Sequence, residues 1–199
     1  MDPSKRIVKE VEEIRRDVSS GVKVEVDESN SKHLVGSING PEDTPYHKGL
    51  FKVDIVIPGD YPFTPPKMKF LTKIWHPNVS SQTGAICLDI LKDAWSPALT
   101  IKTAMLSLQA LMCAPEPSDP QDAEVANMYQ SNYEQWVSTA KFWTETYARE
   151  ASELEGEQKH PALQRLLDMG FPEADCRQTL LDHKGDENAA IEQLLANLG

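Results

Sequence analysis

WHPNVSSQTGAICLDILKDAWSPALT, running from Trp75 to Thr100, places a single cysteine, Cys87, among neighbours that an ordinary core thiol does not need. A thiol flanked by Ile86 and Leu88 is in the first instance a small buried hydrophobe. Its wider company differs. The turn-forming run Ser80-Ser81-Gln82-Thr83-Gly84 brings it towards a surface, and Asn78 supplies a side-chain amide able to donate to a developing oxyanion. Because the thiolate is the nucleophile, partial exposure and polar neighbours favour chemistry. No histidine follows Cys87 closely, so a general base of the thiol-protease kind is not visible locally. Residue types alone leave both readings open, an inert core cysteine and a nucleophile.

The pattern as a whole is narrower than its parts. His76-Pro77-Asn78, a nine-residue step from Asn78 to the cysteine of GAICLDIL, the WSPALT that follows, and YPFTPP at Tyr61 to Pro66 together resemble the active-site region of ubiquitin-conjugating enzymes. The resemblance spans residues 1 to about 150. Some members have one residue fewer between the asparagine and the cysteine. It implies an α+β fold, an antiparallel sheet meander with flanking helices, in which Cys87 carries ubiquitin as a thioester and Asn78 steadies the loop or the oxyanion. Lysine attack on that thioester calls for a carboxylate to orient the amine or take its proton, with Asp119 the first candidate and Asp89 the second. By the same resemblance Phe63, Pro97 and Ala98 form a ligase platform, Lys5 and Arg6 join the docking surface, and Leu106 holds the donor ubiquitin. The implied partners are ubiquitin, the activating enzyme, RING or HECT ligases and protein substrates. No metal or bound cofactor is implied, ATP being consumed upstream by the activating enzyme.

Composition narrows the classes further. A chain of 199 residues with 40% hydrophobic residues has enough apolar material for one full-sized core and a small second one. Its formal net charge of -11 disfavours nucleic-acid phosphates as partners. Three widely spaced cysteines, Cys87, Cys113 and Cys176, form neither a CxxC pair nor a metal spacing, which points to a reducing compartment, cytoplasm or nucleus. The first residues, MDPSKRIVKEVEEIRRD, contain no long apolar run, so neither a secretory signal nor a membrane association is expected.

Along the chain, Asp2-Pro3 reads as a helix start, with Ile7, Val8, Val11 and Ile14 recurring at helical spacing and Glu10 among the charged residues of the outer face. Alternating runs follow at 22–26, 34–38, 51–57 and 68–70, separated by Asp27 to Ser31, Asn39-Gly40-Pro41 and Pro58-Gly59-Asp60. Thr100 caps a helix whose apolar face holds Ile101, Ala104, Met105, Leu108, Leu111 and Met112. Asp119 and Pro120 read as the cap and first residue of the next helix, and Asn132 as the cap of one whose stripe of Tyr133, Trp136, Val137, Ala140, Trp143 and Tyr147 is core.

From residue 151 the composition turns acidic and polar, predicting a linker over 151–158 and a small domain over 159–199. Three short helical patterns follow: Leu163, Leu166 and Leu167; Cys176, Leu180 and Leu181; Ile191, Leu194, Leu195 and Leu198. Pro172 is expected to open the second, Gly185 to end it and Asp186 to cap the third. Between the first two sits Met169-Gly170-Phe171. This loop with Leu194-Leu195 resembles a ubiquitin-associated (UBA) domain, which implies non-covalent ubiquitin binding through Met169, Gly170, Phe171, Leu194 and Leu195. The two resemblances together imply an enzyme that builds polyubiquitin for protein degradation. The competing classes are a non-catalytic ubiquitin-binding scaffold and an enzyme for another ubiquitin-like modifier.

Overall fold

The computed structural model describes residues 3–149, 161–183 and 187–197. The chain divides into two compact units, Met1–Arg149 and Glu150–Gly199. The expected Asp2 cap, the 151–158 linker, Gly185, Asp186 and Leu198 lie outside the described residues.

In the larger unit helix α1, Pro3–Arg16, buries Ile7, Val11 and Ile14. Two expectations for its faces are corrected. Val8 is 57% exposed, whereas Glu10 is 5% exposed. Residues three, four and seven apart share one side of a helix, so Glu10 and Val11 fall between Ile7 and Ile14 while Val8 points away.

Strands β1 (Val22–Asp27), β2 (Asn30–Asn39), β3 (Leu50–Val56) and β4 (Lys67–Phe70) follow in a meander, antiparallel throughout and in sequential order. Val24 pairs with Gly36, Gly36 with Val53 and Val53 with Phe70, one row across all four strands. The period of two puts Val22, Val24, Leu34, Ile38, Phe51, Val53, Ile55 and Phe70 on the buried face. Gly36 belongs to that face because Met105 packs where its side chain would be, with Cε 2.5 Å from an added Cβ. On the opposite face His33 bridges two carboxylates, Nδ1 3.0 Å from Asp27 and Nε2 2.7 Å from Asp54, and Lys69 adds a cation 3.8 Å from Asp54.

Helix α2, Ile101–Cys113, lays Ile101, Ala104, Met105, Leu108 and Met112 into the core, with Leu111 only half-buried. Its N-terminus is capped as expected, the Thr103 amide donating to Thr100 Oγ1 at 3.2 Å. Helix α3, Ala123–Ser131, starts later than expected: its cap is Asp122, whose side chain accepts from Val125 N, and neither Asp119 nor Pro120 is helical. Asn132 caps α4, Tyr133–Tyr147. Its stripe is wider than the core it meets. Trp136 and Ala140 are buried, but Tyr133 is 56% and Tyr147 43% exposed.

The smaller unit has helices α5 (Pro161–Asp168), α6 (Glu173–Asp182) and α7 (Glu187–Ala196), closed around Leu166, Phe171, Cys176, Ala190 and Leu194. Pro172 precedes α6 rather than opening it. Gly170 takes φ +88°, a left-handed conformation that lets the chain turn between α5 and α6.

Candidate active site

The hairpin-like loop that carries Cys87 is fastened at both ends. Phe70 N donates to Gly84 O at 2.9 Å, and Gly84, at φ +74°, lies so close that a Cβ would come within 2.0 Å of Phe70 O. Only glycine fits there. Val79 bridges Ile86, and Cys87 N donates to Asn78 O at 2.9 Å. The thiol is thereby set directly beside the His-Pro-Asn turn.

Each member of that turn has a structural task. His76 is fully buried, its Nε2 bonded to Leu111 O at 3.0 Å and its Nδ1 accepting from Asn78 N at 3.0 Å. That pattern fixes the neutral Nε2–H tautomer, and burial pushes its pKa down to about 4. Pro77 O accepts from Gln121 N and Asp122 N. The Asn78 side chain, 1% exposed, donates to Glu116 O at 2.8 Å and Asp119 O at 2.9 Å and accepts from Glu116 N at 2.9 Å.

An amide group has two hydrogens, and both are taken by backbone carbonyls. Of the two roles expected for Asn78, the geometry fits steadying the loop and leaves no hydrogen for an oxyanion. Asp122 joins the same clamp, Oδ2 accepting from Ser81 N at 2.9 Å and Ser81 Oγ at 2.7 Å. Segment 114–122 is thus held against the cysteine loop from both sides.

The clamp decides which carboxylate meets the sulfur. Cys87 Sγ donates to Asp119 Oδ2 at 3.2 Å, while Asp89 is exposed and accepts the Ile90 amide at 2.7 Å. From the other side Lys92 Nζ donates to Sγ, also at 3.2 Å. That bond raises the Lys92 ammonium above the ordinary lysine range. Against the expectation of partial exposure, Cys87 is buried, 9% exposed and among the core side chains, but it is not part of the contiguous apolar cluster, and the two side chains capping its sulfur belong to exposed residues. Sequence reasoning marked Lys92, five residues past the thiol, only as a lysine whose self-modification was undecided, and gave it no role in the transfer. The signal was weak, because five residues of separation bring an ammonium back to a sulfur only through the 3-10 turn Asp89–Leu91.

The remaining expected residues fall in separate places. Phe63 is 77% exposed, and Pro97 and Ala98 are exposed on the loop that follows Trp95. Trp95 Nε1 donates to Pro62 O at 2.8 Å, tying the two loops together. Lys5 is exposed, but Arg6 is not free for docking: its guanidinium bonds Glu10 Oε1, Pro97 O and Leu99 O. Leu106 is half-buried on α2. In the smaller unit Met169 and Leu195 are each 53% exposed and Gly170 is exposed, but Phe171 and Leu194 are core. A unit this small has few other large side chains with which to close its interior. Among the described residues no group of three or more His, Cys, Asp or Glu side chains is placed to hold a metal ion, and no helix is long and apolar enough to cross a membrane.

Comparison with known proteins agrees with this geometry. The family described as ubiquitin-conjugating enzyme matches residues 6–144, and the UBA/TS-N domain matches residues 162–194. The chain is 55% identical over 190 residues to "Ubiquitin-conjugating enzyme E2 27" of Arabidopsis thaliana, covering 95% of this chain and 96% of that protein. It is 46% identical over 193 residues to "Ubiquitin-conjugating enzyme E2 K" of Homo sapiens, covering 97% and 96%. A solved ubiquitin-conjugating enzyme E2 domain from Toxoplasma gondii superposes with a TM-score of 0.70 at 57% identity, over 73% of this chain and 98% of that one. With a thiol pinned beside a His-Pro-Asn turn on a four-stranded meander, and aligned nearly end to end with such enzymes, the chain belongs to the ubiquitin-conjugating enzyme family.

Proposed function

We propose that Cys87 accepts the C-terminal acyl group of ubiquitin from the activating enzyme and passes it to a lysine amine. The observation that carries this is the sulfur's position between Lys92 Nζ and Asp119 Oδ2, each at 3.2 Å. In the first transfer the Cys87 thiolate attacks the activating enzyme's thioester. A new carbon–sulfur bond forms, the old one breaks, and the activating enzyme's sulfur leaves as a thiolate, which takes up the proton that the Cys87 thiol gave up. In the second, the amine attacks the Cys87 thioester, the carbon–nitrogen bond forms and the sulfur departs as thiolate, facing the Lys92 ammonium. The amine must lose its proton, and free lysine, with a pKa of ~10.4, holds that proton at neutral pH. Asp119 stands beside the sulfur to orient the amine and receive the proton, which favours it over Asp89. Asn78 contributes by holding Asp119's segment in place.

Phe63, Pro97 and Ala98 offer exposed apolar contacts for a ligase, and Met169 with Leu195 offers the smaller unit's surface to ubiquitin. ATP enters through the activating enzyme, and the product is polyubiquitin that marks proteins for degradation in cytoplasm and nucleus. Purified protein incubated with ubiquitin, activating enzyme and ATP tests the assignment. Wild type is expected to yield a thiol-labile adduct, Cys87→Ala none, and Cys87→Ser an ester that resists thiols. An adduct of normal yield on Cys87→Ala removes Cys87 from its role.

A further inference from the structure

Beneath the exposed patch formed by Phe63, Pro97 and Ala98 lies a buried ionic junction that no step of the transfer uses. Glu10 is 5% exposed, and its carboxylate collects bonds from three different parts of the fold. Arg6 Nε donates to Oε1 at 2.7 Å, and the Ile101 amide at the start of α2 donates to Oε2 at 2.8 Å. The Tyr61 hydroxyl lies 2.7 Å from Oε2 and 2.9 Å from Oε1, its one hydrogen shared between them. Arg6 then reaches further, Nη2 donating to Pro97 O at 2.8 Å and Leu99 O at 2.9 Å. Its guanidinium carbon sits 5.4 Å from the centre of the Tyr61 ring, which leans against Trp95 at 6.0 Å.

The two loops bearing the patch are joined directly by the Trp95 Nε1–Pro62 O bond and carry turn bonds of their own, Phe63 N to Asp60 O and Leu99 N to Ser96 O, but they have no strand ladder to hold them. Segment 61–66 contains three prolines, which cannot donate to a ladder, and neither it nor segment 95–100 belongs to a strand. Burying an ion pair is costly, and apolar side chains of equal volume would fill the space as well. What they would not do is fix the carbonyls of Pro97 and Leu99 relative to Tyr61. Directional bonds do that, and a docking patch shared between two loops loses complementarity with displacements of about 0.5 Å.

We propose that Arg6, Glu10 and Tyr61 are positioning residues for ligase-stimulated transfer: through Tyr61 and through the carbonyls of Pro97 and Leu99 they set the spacing of Phe63 against Pro97 and Ala98. None of the three touches Cys87. The proposal rests on the reading of that patch as the ligase surface. It also makes α1 the anchor of the patch, so the helix contributes from inside the fold as well as from its exposed face.

The test is single-turnover discharge of ubiquitin-charged full-length protein onto lysine, titrated with a purified RING ligase domain that stimulates the wild type. Tyr61→Phe keeps the ring and loses the bond, Glu10→Gln keeps the shape and loses the charge, and Arg6→Lys keeps the charge and loses the fork. Each is expected to raise the half-saturating ligase concentration about five- to tenfold while leaving the maximal rate at saturating ligase within twofold. Phe63→Ala, measured alongside, checks the underlying surface. If Phe63→Ala weakens the ligase and the three variants do not, the positioning role is overturned and the surface stands. If Phe63→Ala also has no effect, the surface assignment is overturned and the proposal goes with it. Variants that lower the melting temperature but keep the wild-type half-saturating concentration show a purely structural junction and overturn the proposal. Arg6→Lys is the mildest substitution and keeps the test valid should Glu10→Gln fail to fold.

Discussion

At the scale of single residues, the site shows how burial assigns roles that identity leaves open. His76 is enclosed, neutral and committed at both nitrogens, which leaves it no part as a base. Its pKa of about 4 in the folded protein, against an ordinary value near 6.5, fixes the sign of an acid effect. Between those values the unfolded chain binds a proton that the folded one refuses, so stability falls as pH drops from about 6.5 towards 4, by at most roughly 3 kcal/mol. His33 acts in the opposite sense. Bonds to Asp27 and then Asp54 raise its pKa, so its contribution is full below the unfolded value and fades as pH rises through the folded one. Urea unfolding of wild type and His33→Gln at neutral and mildly acid pH checks both, with the variant expected to lose stability more steeply on acidification. Type and immediate neighbours left Cys87 open between a core thiol and a nucleophile, and only the order of the surrounding motifs singled it out. Glu10 was misplaced because its charge outweighed its spacing, although its distance from Ile7 and Ile14 already put it on the buried side.

At the scale of elements, periodicity exposed every strand of the meander and the caps Thr100 and Asn132, since those signals are local. The start of α3 was not local. Asp119-Pro120 forms the better cap by sequence, but Pro77 O takes the amides of Gln121 and Asp122, and Ser81 engages the Asp122 carboxylate. Those partners come from forty residues away, delay the helix and release Asp119 towards the sulfur. The Met169-Gly170-Phe171 loop divides in the same way. Its outer side chain is Met169, accompanied by Leu195 from α7, and its inner one is Phe171. Met169→Ala and Leu195→Ala are each expected to weaken ubiquitin binding without moving the melting of the small unit. Phe171→Ala, by opening its core, costs about 3 kcal/mol of that unit's stability. Chemical-shift titration with ubiquitin, set beside thermal melting of the same variants, separates the two effects.

At the scale of the whole molecule, two units with separate cores imply a division of labour. Among the described residues the two side chains that hydrogen-bond the Cys87 sulfur, Asp119 and Lys92, belong to the larger one. A chain ending at residue 149 is therefore expected to charge with ubiquitin at the full-length rate and to differ in the length of the polyubiquitin it makes. Loading time courses and gel analysis of chain products check the two halves of that statement. Composition and motif order made this architecture legible from the sequence, because each unit carries its own apolar periodicity and the acidic stretch between them carries none.

The bond from the Cys87 thiol to Asp119 has a consequence for timing. In the proposed cycle an acylated sulfur would have no hydrogen to give, so the first transfer would deprive the carboxylate of its resting donor and leave its oxygen vacant for an approaching ammonium. Capture of the cargo would thus arm the acceptor side of the reaction. Once set free again, the sulfur would reclaim a proton and occupy Asp119, returning the protein to its idle form.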